Sequence, residues 1–185
     1  MRLVSLLALA GCWSGTPRPP GPSEPVASSA LVMTQRGVGP IDAATVTTLL
    51  GLRKLLPRYR VIPLNDPQLE YDIFDRKEKL AFIVLTEGGN GVFNIHVTSG
   101  KVTIADRAWR VGKAFTDAKQ LGHCECWGDN PTCYKAGDHI AVNFDHACVD
   151  PLDGDLGALD GVVVQRLIWS PQPFGAPADE PEAAP

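Results

Sequence analysis

The 185-residue chain has little of what most functional assignments need. A membrane-spanning helix takes about 20 consecutive apolar residues, and the apolar run Leu3 to Leu9 is far shorter, with nothing longer after it. No long basic run is present either. Lys and Arg total 17 against 21 Asp and Glu, a net charge of −4. Arg53, Lys54, Arg58 and Arg60 do cluster, but at one helix end, where a solvated face is the simpler reading. A nucleic-acid partner is therefore not expected. Gly-x-Ser-x-Gly and His-Glu-x-x-His are absent, so neither the serine-hydrolase elbow nor the zincin helix is encoded. The glycine-rich "EGGNGVF" (87–93) has no following Lys-Ser/Thr and reads as a turn. "DPLDGDLGALDG" (150–161) fails as an EF-hand: counted from Asp153, position 5 is Gly157 and position 12 is Val164.

What the chain does have begins at its first residues, "MRLVSLLALAGCW". Arg2 supplies a positive n-region, Leu3 to Leu9 an apolar h-region, and Ala10-Gly11 the small residues of a cleavage site. Leu9-Ala10-Gly11-Cys12 matches the bacterial lipobox, which implies cleavage before Cys12 and its triacylation, palmitate included. Stable anchoring takes two acyl chains or more, so the expected membrane contact is this lipid. Trp13 stands where Asp would favour retention in the inner membrane. The expected location is the outer membrane, facing the periplasm.

Composition then divides the chain. Residues 1–11 read as a signal peptide, 12–30 as the lipidated cysteine with a proline-rich tether, 31–171 as one domain and 172–185 as a disordered acidic tail. Within the domain, Val46, Leu49, Leu50, Leu52 and Leu56 recur at helical spacing between Asp42, a candidate N-cap, and Pro57. "RVGKAFTDAKQLG" (110–122) reads as a second short helix. Strands are expected over 59–64, 71–74, 80–86, 92–98, 101–105, "TCYKA" (132–136), 139–144 and 162–169. Ser99-Gly100 suits a hairpin turn between two of them. The expected class is α+β, a largely antiparallel sheet with two short helices. "RGVGPIDAAT" (36–45) and "WRVGKAFTDA" (109–118) suggest a weak two-fold internal duplication.

The densest chemistry lies in "GHCECWGDNPTC" (122–133) and just after it. In an oxidising periplasm, Cys124, Cys126, Cys133 and Cys148 are expected to form disulfides. A bridge between Cys124 and Cys126 is strained. Two pairings remain: Cys124–Cys133 with Cys126–Cys148, or the crossed alternative. His123, His139 and His146 invite a zinc reading, but C-x-C and H-x₆-H fit structural zinc poorly. C-x-x-C, the redox spacing, is absent. Neither metal nor cofactor is expected. His96 reads as a structural histidine within a strand.

Gly37-Val38-Gly39 with Thr45 downstream, "YRV" (59–61), "RVGKAFTDA" (110–118), Cys124 after Leu121-Gly122, Cys133, "HIAVNF" (139–144) and "LIW" (167–169) occur in a characteristic order. In that order the chain resembles the envelope-stress (sigma-E) regulated bacterial lipoproteins, a domain family of unknown function. The resemblance covers residues 33 to 170. It implies an α+β domain, an anchoring cysteine at Cys12 and a cysteine pair at Cys124 and Cys133. Cys126 and Cys148 depart from the family and are left to pair with each other. No catalytic residue comes with the resemblance.

The leading expectation is a non-enzymatic envelope lipoprotein presenting a stapled domain to a protein or cell-wall partner. An envelope hydrolase using His146 or His139 with Asp145 is the alternative, and it requires these groups to converge. A periplasmic metal or redox protein is the third reading.

Overall fold

The computed structural model describes residues 30–64, 69–148 and 156–176. The signal peptide, Cys12, the tether up to residue 29, the acidic loop at 149–155 and the tail from 177 onward lie outside the described residues.

Twelve strands and one helix run in the order β1 (Val32–Thr34), β2 (Gly37–Val38), β3 (Ile41–Asp42), α1 (Leu49–Leu55), β4 (Arg60–Leu64), β5 (Glu70–Asp75) and β6 (Glu78–Leu85) among the described residues. They continue with β7 (Val92–Val97), β8 (Thr103–Ile104), β9 (His123–Trp127), β10 (Asn130–Tyr134), β11 (Ile140–Phe144) and β12 (Val164–Trp169). One sheet takes the order β4-β5-β6-β7-β12-β11-β10-β9, and its pairings are all antiparallel. A smaller sheet, β3-β2-β1-β8, includes one parallel pair, β1 with β8. The class is mixed α+β and mostly β.

Strand alternation sends one set of side chains to each face. Ile73, Ile83, Ile95, Leu167, Val142 and Cys133 point to the principal core. Met33, Val38, Ile41 and Ile104 of the small sheet join them there, together with Leu52 and Leu56. Gly37 allows the small sheet to form. A Cβ at that position would lie 1.9 Å from the carbonyl oxygen of Ile41.

Several expectations need correction. The helix is capped by Thr48, whose hydroxyl accepts from Gly51 N at 3.1 Å, not by Asp42. Asp42 instead closes a local turn, accepting from Ala44 N at 3.0 Å. Val46 lies before α1 and Leu50 within it, and both stand in solvent, each 66% exposed. The expected helix over 110–122 is not formed. Gly112 and Asp117 adopt left-handed φ values of 76° and 64°. Phe115 N and Gly112 N donate to Val162 O and Val164 O, at 2.8 and 2.9 Å, so this backbone pairs with a distant segment rather than with itself. Only a 3-10 turn remains, at Ala118–Gln120. Ser99-Gly100 does turn the chain, with Val102 N bonded to Ser99 O at 3.2 Å. The strand beyond it joins the other sheet, where Thr103 is the partner of Val32. The topology of the described residues does not show a two-fold duplication.

The segment 172–176, placed in the tail by composition, is described and packed. Phe174 N donates to Asp138 O at 2.8 Å, and its ring stacks on Tyr134 with centroids 5.2 Å apart.

Candidate functional site

Cys124 and Cys133 face each other as cross-strand partners of β9 and β10, with Cα atoms 4.0 Å apart, and are bonded. Cys126 is bonded to Cys148, which ties β9 to the segment after β11. Gly128, at φ 67°, provides the turn that brings β10 back along β9. The first bridge is buried, at 9% and 0% exposure. The second is open, with Cys126 exposed and Cys148 half-buried. Among the described residues, no three His, Cys, Asp or Glu side chains gather in a way that could hold a metal ion.

His139 does not meet Asp145 or His146. It precedes β11 and they follow it, so five strand residues separate them, about 20 Å at strand rise. His139 Nδ1 lies 2.8 Å from Ser170 O, and its backbone N donates to Gln35 Oε1 at 2.8 Å. Asp145 and His146 are both exposed. The His146 carbonyl accepts from Asn130 Nδ2 at 3.2 Å. An acid–base pair drawn from β11 is therefore not assembled.

A cleft of about 710 Å³ does collect polar groups, from three segments in which the sequence offered no candidate site residue. Asp106, Arg107 and Trp109 form one wall, Asp117 a second, and Lys135 and Asp138 a third. Arg107 Nη2 donates to Asp138 Oδ2 at 2.5 Å, and its guanidinium sits 4.4 Å from the centre of the Trp109 ring. Trp109 in turn leans on Phe115, centroids 5.2 Å apart, which is buried in the core. A cation held both by a carboxylate and by an aromatic face is fixed in direction. Gln120 Nε2 donates to the Asp117 carboxylate. The cleft thus offers preset donors and acceptors beside an indole. Such a surface suits recognition of a polar chain, and it has no free nucleophile–base pair. Arg107 and Asp138 are 31 residues apart, so no local motif announces them.

Histidine chemistry is concentrated elsewhere, on the face of the large sheet turned from the principal core. One cross-strand row there runs Asp72, Phe82, His96, Ile168, Ala141, Tyr134. Lys79 pairs with Asp72 and lies 4.6 Å from the Phe82 ring centre. His96 stacks on Phe82, and its Nδ1 is buried with no hydrogen-bond partner. Burial, then the charges of Arg166 and Lys79, push its pKa down from 6.5 to about 4. At neutral pH this imidazole is uncharged and structural.

No family model and no curated protein matches the chain. A solved structure does share its fold class, an antiparallel sheet with few helices. That structure is the crystal structure of the uncharacterized protein yfeY from Escherichia coli. It matches with a TM-score of 0.56 and 20% identity, over 74% of this chain and 97% of that one. At this identity the likeness concerns the fold.

Proposed function

We propose that the chain is a triacylated outer-membrane lipoprotein of the envelope-stress family it resembles, with a non-enzymatic periplasmic domain that binds an envelope protein or cell-wall partner. The lipobox ending at Cys12 supports the anchor. The two disulfides are compatible with an oxidising compartment. The observation that favours binding over catalysis is the separation of His139 from Asp145 and His146 by the length of β11. The Arg107–Asp138–Trp109 cleft is the surface best formed for the partner.

Metabolic labelling with a radioactive fatty acid, followed by density-gradient separation of the two membranes, tests this reading. The wild-type chain should carry label and band with the outer membrane. Cys12→Ser should lose both label and membrane association. A Cys12→Ser chain that stays in the outer-membrane fraction overturns the anchor.

A further inference from the structure

On the side of the domain built by β1, β2 and α1, three hollows run into one another. The middle one, about 490 Å³, is walled by Leu31, Val32, Pro40, Leu55, Leu56 and Tyr59. It shares Pro40 and Leu55 with a hollow of about 580 Å³ that reaches Val46 and Lys54. It shares Leu31 and Tyr59 with one of about 250 Å³ that reaches Leu80 and Val102. Together they form an apolar trough.

Its rim has two further features. Val46 and Leu50, each 66% exposed, stand four residues apart, and Lys54 and Arg58 follow at the same interval. Within α1, Leu50 and Lys54 share one side of the helix. Val46, before the helix, lines the same hollow as Lys54, and Arg58, after it, lines the middle one, so two aliphatic groups and two cations gather along this edge. Lys54 and Arg58 take part in none of the ion pairs formed among the described residues. Two acids line the trough: Asp42 is occupied by Ala44 N and the Thr45 hydroxyl, both at 3.0 Å, and Asp75 stands in the smallest hollow, which Lys101 also lines. Ala30, the first described residue, belongs to the wall of the trough, so the described chain begins on this side, 18 positions after Cys12.

Exposed aliphatic groups beside unpaired cations match the boundary between phospholipid acyl chains and anionic headgroups. We infer that this face is a membrane-docking surface: Val46, Leu50 and the trough seat at the acyl boundary of a bilayer carrying anionic phospholipid, with Lys54 and Arg58 on its phosphates. The inference rests on the lipid-anchor reading, because the anchored chain is what brings this face to the bilayer. Docking fixes the domain's orientation, with the trough down and the remaining surface free for a partner.

The test uses the processed full chain purified from membranes and reconstituted in vesicles. One set is pure phosphatidylcholine, and the other contains one-quarter phosphatidylglycerol. Flotation reports the anchor and amide hydrogen exchange over residues 46–58 reports docking. The chain should float with both sets, while exchange over 46–58 slows only with phosphatidylglycerol and recovers in about 0.5 M salt. Lys54→Gln and Arg58→Gln should each reduce the slowing about fivefold. Lys113→Gln and Lys119→Gln, which remove the same charge elsewhere on the surface, should change it less than twofold. Flotation without slowed exchange overturns docking and leaves the anchor standing, as does equal loss in the control variants. Failure to float overturns the anchor, and the docking inference falls with it.

Discussion

The imidazole of His96 lies flat on the ring of Phe82, with centroids 4.5 Å apart and planes 3° from parallel. Its proton affinity in the folded chain is low, at a pKa of about 4, because burial and then Arg166 and Lys79 oppose a positive ring. The unfolded chain binds that proton first as pH falls. Stability is therefore fully present above about pH 6.5 and declines through the window down to about pH 4. The expected loss is about 3 kcal/mol. Urea midpoints of wild type and His96→Phe, compared at neutral pH and near pH 4.5, measure it. The wild type should lose more stability than the variant, which keeps the stack without the titrating nitrogen. Parallel losses would remove His96 as the cause.

Gly37 and Gly112 differ in what they exclude. A Cβ on Gly37 meets the Ile41 carbonyl at 1.9 Å, where the two strands of a hairpin are already paired. Backbone cannot yield as a side chain can. Gly37→Ala should cost about 3 kcal/mol. Gly112, at φ 76° with open space around its Cβ position, should cost only about 1 kcal/mol as Ala. Thermal denaturation of the two variants checks the ordering, and equal losses would contradict it.

The strands of the large sheet other than β9 (His123–Trp127), whose residues read as a cysteine-rich loop, were legible because the buried face leaves an alternating record. "HIAVNF" places Ile140, Val142 and Phe144 inward, and the runs at 71–74, 80–86 and 92–98 behave similarly. Of the small sheet only β8, within the expected strand over 101–105, was legible. Its strands are two or three residues long and are set by tertiary pairing, as Thr103 with Val32 shows. Helical spacing at 110–122 lost to hydrogen bonds reaching Val162 and Val164. For the cysteines, spacing and compartment left two pairings, and the β9–β10 register that makes Cys133 face Cys124 selects one. The Arg107–Asp138 cleft had no sequence signal beyond its isolated residue types, since its walls meet only in the fold.

The two disulfides should open in order. Cys133 is fully buried and Cys124 is 9% exposed, whereas Cys126 is exposed at the strand edge. Thiolate attack needs access to sulfur. Mild reductant under native conditions should therefore release Cys126 and Cys148 first, as timed alkylation and mass spectrometry would show. Early labelling of Cys124 or Cys133 would contradict the burial argument. Replacing Cys124 and Cys133 together by Ala should cost about 2–4 kcal/mol.

The C-terminal boundary of the fold lies after Phe174. Proline-rich composition makes all of 172–185 look dispensable, yet Phe174 accepts from Gly137 N at 2.9 Å and donates to Asp138 O at 2.8 Å. Its ring stacks on Tyr134 and comes within 6.0 Å of Trp127. Tyr134, Ala141 and Ile168 form a small apolar cluster beneath it, on the face opposite the principal core. Two hydrogen bonds and a stacked ring hold the 135–138 turn, which carries the Asp138 that pairs with Arg107. A chain ending at Ala176 should match the full chain within about 0.5 kcal/mol. A chain ending at Ser170 should lose about 1–2 kcal/mol, from the ring and the two bonds together. Phe174→Ala should lose somewhat less, because its backbone bonds can still form. Chemical denaturation of the three variants reads the series. If the chain ending at Ser170 is as stable as the chain ending at Ala176, Phe174 is not part of the folded unit.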